Sequence, residues 1–158
     1  MRKLLLTITI VLMVGCDALP TGSSDVERID SEFFSIRNAK GANFVLTHNY
    51  ATEADKRLRE VAACVGIDLS VVIDRNVKIR LWGMHQTLPG GGGGHFDENT
   101  MTLDLYEDYN MYDQGWRHEM IHMLLYIIGD EDYADCPATK EQGRLNSKPW
   151  VCQFSWAS

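Results

Sequence analysis

Apolar and polar positions change their rhythm several times along the chain, and each change marks an element. From Thr52 onward, Leu58, Val61, Ala62 and Val65 fall at the spacing of one helical face. Thr52 stands three residues before Asp55, a capping-box-like start, and Gly66 supplies a stop. Upstream, Asn43-Phe44-Val45-Leu46-Thr47 is β-branched and aromatic enough for a short strand. Downstream, Leu69 to Ile73 and Val77 to Trp82 predict two more strands joined by a turn at Asp74-Arg75-Asn76. The glycines Gly90 to Gly94 suit neither helix nor strand and predict a flexible loop, over a cleft or as a plain linker. They lack the Gly-Lys-Ser/Thr ending of a nucleotide-binding loop. Thr100 to Leu105 alternates polar and apolar, as a half-buried strand does. The longest helical signal runs from Trp116 to Ile128, with Asp113 as its N-cap and Gly129 closing it. Short strands and two helices within 158 residues predict one α+β domain with a small, mostly antiparallel sheet.

The first residues follow a different rule. Arg2-Lys3 precede an apolar run of 11 residues, Leu4 to Val14. That run is shorter than the roughly 20 residues a membrane-spanning helix needs, and it has the shape of a secretory signal. Its end, Leu12-Met13-Val14-Gly15-Cys16, resembles the bacterial lipobox, with Met13 where Leu is usual. The resemblance implies cleavage before Cys16 and a diacylglycerol on its thiol. Each buried acyl methylene contributes about 0.8 kcal/mol to membrane binding, so several chains hold durably. The expected organisation is a signal peptide at 1–15, a flexible lipid-anchored stalk at 16–40 and a folded domain at 41–158. The expected place is the bacterial cell envelope, anchored by lipid and facing outside the cytoplasm.

Charge and cysteines narrow the function. Hydrophobic residues make up 45% of the chain and charged ones 23%, enough for a packed core. The formal charge is −7, and loss of Arg2 and Lys3 leaves 13 basic against 22 acidic residues. Nucleic acid is therefore not an expected partner. The basic trio Lys56-Arg57-x-Arg59 reads as a solvated helix face. Once Cys16 is lipidated, Cys64, Cys136 and Cys152 remain, which predicts one disulfide and one free thiol in an exported protein. A Cys136–Cys152 bridge closes a loop of about 15 residues, worth roughly 3 kcal/mol in the chain-entropy model. A bridge from Cys64 to Cys136 or Cys152 closes a longer loop and ties the tail across the domain. The latter is the favoured expectation.

The chemistry converges on the last helix. His118-Glu119-Met120-Ile121-His122 is an HExxH sequence. Residues four apart share a helix face, so both imidazoles can bind one ion. Glu119 is rotated about 100° from His118, which suits a base beside the metal rather than a ligand on it. Zinc lowers the pKa of a water it binds towards about 7, and a carboxylate then takes the proton as that water attacks a carbonyl. A purely structural helix would instead bury two polar rings among Met123, Leu124 and Leu125 without a stated partner, at a cost.

The stretch Arg117 to Leu125, followed by Gly129-Asp130, resembles the active-site segment of the zincin metallopeptidases in their small bacterial form. The resemblance implies a zincin-like fold, one zinc ion per chain held by His118 and His122, and Glu119 as general base. It implies peptide-bond hydrolysis on a peptide or protein substrate. In zincins the edge strand before the helix binds extended substrate by strand addition, and Thr100 to Leu105 is expected in that place. The third ligand departs from the pattern. Metzincins place a glycine soon after the second histidine and a His or Asp three residues beyond it; here Gly129 comes a full turn later, with Asp132 three residues on. No histidine follows His122. The helix beyond His122 carries the chain about 10 Å away, and returning takes about three extended residues. Asp130 is then too early, Asp132 just reaches and Asp135 reaches easily, while Tyr133 could ligate or steady an oxyanion. His48, His85 and His95 read as surface or satisfied histidines, with His95 close enough in sequence to reach a cleft. The rival expectation is a non-enzymatic surface lipoprotein or binding module whose zinc site is structural or vestigial.

Overall fold

The structure is a computed structural model that describes residues 28–130. It is an α+β arrangement of a five-stranded sheet, two long helices and a short 3-10 turn. The strands are β1 (Ile29–Asp30), β2 (Ser35–Asn38), β3 (Lys78–Trp82), β4 (Gly94–Asp97) and β5 (Thr102–Tyr106), in the spatial order β1-β2-β3-β5-β4. The helices are α1 (His48–Val65) and α2 (Asp113–Ile127).

The sheet is mixed rather than mostly antiparallel. β2 with β3 and β3 with β5 run parallel, while β1 with β2 and β4 with β5 run antiparallel. A parallel neighbour requires a long crossover, and α1 supplies it between β2 and β3. One face of the sheet carries Ile36, Ile79, Leu81, Phe96, Leu103 and Leu105, all buried against the helices. α1 adds Leu58, Val61 and Ala62 to that core, and α2 adds Trp116, Met120, Met123 and Leu124. No helix among the described residues is long and apolar enough to cross a membrane.

Several expectations are corrected. The folded part begins before residue 41, because β1 and β2 lie within 28–40 and Phe33, Phe34 and Ile36 are buried there. Asn43 to Thr47 is not a strand but the lead into α1, which starts at His48, a turn before Thr52. Asp55 caps nothing; its carboxylate accepts from the Ser31 hydroxyl at 2.7 Å and the Glu32 N–H at 3.1 Å, fastening α1 to the β1–β2 turn. Leu69–Val71 is a 3-10 turn, because the Asp68 side chain takes the Ser70 N–H at 2.8 Å. Asp113 is the first residue of α2, behind Tyr112 at the N-cap position. Arg57 is no solvated residue. It is only 5% exposed, with its guanidinium on Glu53, on Asp113 at 2.7 Å and on the Tyr109 carbonyl at 3.1 Å. It also lies over the rings of Tyr109 and Trp116.

The expected stops hold their physical reason. Gly66 (φ 73°) and Gly129 (φ 76°) take the left-handed conformation that ends a helix at little steric cost. After α2, the Gly129 N–H returns to the Tyr126 carbonyl at 3.0 Å and the Asp130 N–H to the Leu125 carbonyl at 2.9 Å.

Candidate active site

α2 brings His118, Glu119 and His122 together. The two Nε2 atoms are 2.9 Å apart and the rings stand edge to face, 4.5 Å between centroids. Both histidines sit half-buried beside the apolar face that anchors the helix. Burial, and secondarily the charge of His122, lower the His118 pKa to about 4, so the ring is neutral and carries a lone pair. Glu119 is 8% exposed, and burial raises its pKa to about 7. The nearby Phe96 backbone N–H opposes the rise.

Phe96 belongs to β4, the last strand of the sheet, whose outer side has no strand neighbour among the described residues. The expected edge strand was the segment now seen as β5, but β5 lies inside the sheet, between β3 and β4. The true edge starts within the glycine run, at Gly94. A glycine-led strand has no side-chain alternation to read, which hid it from the sequence pattern. A cleft of about 590 Å³ opens beside this edge. Its walls are Gly92 to Gly94, the Asn110–Tyr112 loop, the first turn of α2, and His118 with Glu119.

The first turn of α2 is held from two sides. Asp113 accepts from Arg57 and, at 2.7 Å, from Arg117, whose Nη2 also meets Glu60 at 2.7 Å. Trp116 is fully buried and donates its indole N–H to the Tyr106 carbonyl at 2.9 Å. Apart from Asp113, which the sequence marks as a helix start, and Trp116, which opens the helical pattern, these supports carry no signal in the linear pattern. Gly115 is another such residue, since it packs directly against the Gly93 backbone.

The remaining expected residues are placed as follows. His95 lies on β4 with its ring against Gly90, and it is not among the residues lining the cleft. His48 opens α1, and His85 lies in the loop after β3. Cys64, in the last turn of α1, is disulfide-bonded, and no other cysteine lies among the described residues. Asp132, Tyr133, Asp135, Cys136, Cys152 and Cys16 lie outside the described residues. Among the described residues, no three His, Cys, Asp or Glu side chains form a group able to hold a metal ion. No protein-family model, curated protein or solved structure matches the chain.

Proposed function

We propose that this protein is a zinc-dependent peptidase of the HExxH type, zincin-like in its working parts and carried on the outer side of a bacterial membrane by lipid on Cys16. The observation that carries the reading is one arrangement: two imidazole Nε2 atoms 2.9 Å apart, with His118 and the buried Glu119 both lining one cleft. Nitrogen donors of neutral imidazole suit zinc, and a spacing near 3 Å suits two ligands of one small ion. His118 and His122 would hold it, with Asp132, or else Asp135, as the third ligand. Bound there, zinc supplies Lewis-acid polarisation of a substrate carbonyl and eases deprotonation of water.

The chain's own groups do the rest. Glu119, buried yet beside open space, takes a proton from the water that attacks the scissile carbonyl and delivers it to the departing amine. The outer side of β4 offers backbone donors and acceptors to an extended peptide, which joins the sheet as one more strand. Glycines along this wall leave the peptide backbone room to approach.

The test measures metal and turnover in the same preparations. Wild type should carry one zinc ion per chain, and His118→Ala and His122→Ala should carry none by elemental analysis. Glu119→Gln should keep its zinc and lose at least about 100-fold in cleavage of a peptide library. Equal metal in wild type and both histidine variants sinks the zinc site, and unchanged cleavage by Glu119→Gln removes it from the mechanism. Zinc without any turnover in wild type moves the reading to the binding lipoprotein.

A further inference from the structure

α2 and β4 meet along a seam with two contacts too close for any side chain. A β-carbon on Gly115, in the first turn of α2, would lie 2.4 Å from the Gly93 carbonyl oxygen and 2.8 Å from its carbon. Those are backbone atoms, so no rotamer change relieves the overlap. A β-carbon on Gly94 would lie 2.5 Å from Cγ of Glu119 and 3.2 Å from Cδ2 of Leu105. Neither glycine has a positive φ, so the requirement is room and not backbone conformation. Their neighbours differ. Nothing lies within 4 Å of a β-carbon at Gly91 or Gly92, and one at Gly93 would meet its nearest atom, Tyr112 Cδ1, at an ordinary 3.6 Å.

The two contacts share a geometry with Glu119. Gly115 precedes Glu119 by four residues, one turn along the same helix face. Gly94 precedes Phe96 by two, so both lie on the same side of β4. The Gly115–Gly93 contact and the Gly94–Glu119 contact therefore follow one another along a single seam. Carbon atoms not bonded to one another settle at about 3.5–4.0 Å, so a methyl at either glycine forces the seam apart by about 1 Å.

We infer that Gly94 and Gly115 are positioning residues: by omitting their side chains they set the close approach of β4 and α2 that leaves the Glu119 side chain its place beside the cleft. The link to catalysis rests on Glu119 acting as the base; the packing itself does not. Two measurements on the full chain test it without any substrate. In Gly94→Ala and Gly115→Ala, amide hydrogen exchange along β4 should quicken at least about 10-fold while Leu103, in the middle of the sheet, keeps its protection. In a double-mutant cycle, the drop in Tm caused by Gly94→Ala should shrink by at least half in a Glu119→Ala background, where the offending Cγ is gone. Should Gly94→Ala fail to fold alone, recovery of a folded double variant supports the inference and its absence overturns it. Unchanged exchange along β4, or an equal Tm loss in both backgrounds, also overturns it. In a chain that cleaves peptides, both glycine variants should lose about 10- to 100-fold in kcat with zinc content unchanged. A wild type without zinc or turnover counts against the proposed function alone, and the exchange and stability results still decide the role of the glycines.

Discussion

His118 and Glu119 are adjacent in sequence, yet burial moves their pKa values in opposite directions, to about 4 and about 7. The rule is common to both: a poorly solvated site disfavours whichever form is charged, imidazolium in one case and carboxylate in the other. At exposed positions hydrogen bonding decides instead. Asp97, at the end of β4, accepts the Thr100 hydroxyl at 2.7 Å and the Asn99 N–H at 3.0 Å, and the Thr100 bond is the largest cause of its lowered pKa. A carboxyl whose folded pKa lies below its unfolded value stabilises the fold above the unfolded value, and that stabilisation is lost as pH falls through the folded one. Asp97→Asn should therefore lower Tm near neutral pH, and the gap from wild type should narrow once pH falls below about 4. A gap that stays constant down the acid limb would show that the charge on Asp97 contributes nothing to the β4–β5 turn.

Elements here are joined by a few buried polar ties as well as by apolar packing. Arg57 on α1 reaches Asp113 at the start of α2 and the Tyr109 carbonyl in the loop before it. Its planar fork serves these partners at once, which a lysine cannot do. Arg57→Ala should cost about 2–3 kcal/mol in chemical denaturation, because charged partners lose their hydrogen bonds in a half-dry site. Arg57→Lys should recover less than half of that loss. A loss below about 0.5 kcal/mol would place the cluster with ordinary surface ion pairs. The same elements show why periodicity misreads some segments. Val71, Val72 and Ile73 have strand composition, but only Val72 is buried, and the side-chain bond from Asp68 bends the chain into a 3-10 turn. β1 and β2 are two and four residues long, too short for alternation to emerge from a polar stretch. They exist because β3 and α1 are there to pair with and cover them.

For the whole molecule, the proposed lipid on Cys16 makes a prediction independent of the fold. The mature protein should partition into the detergent phase, start at Cys16 by mass spectrometry, and be released or misprocessed as Cys16→Ser. A mature N-terminus elsewhere refutes the anchor. The linear sequence determined what depends on neighbours within about one helical turn. The i, i+4 spacing put both imidazoles on one face, Gly66 and Gly129 ended their helices, and unbroken alternation marked β5. Tertiary structure decided what depends on partners far along the chain. Strand order turned β5 into an inner strand and, among the described residues, gave the edge to β4, which begins in a glycine run with no pattern to read. Packing buried Arg57, which looks like a surface charge until Asp113, 56 residues away, folds against it. It also brought Gly94 and Gly115 within reach of Glu119 and Gly93, contacts made by absent side chains. Periodicity reports which face of an element is apolar; it carries no information about which other element that face, or its edge, will meet.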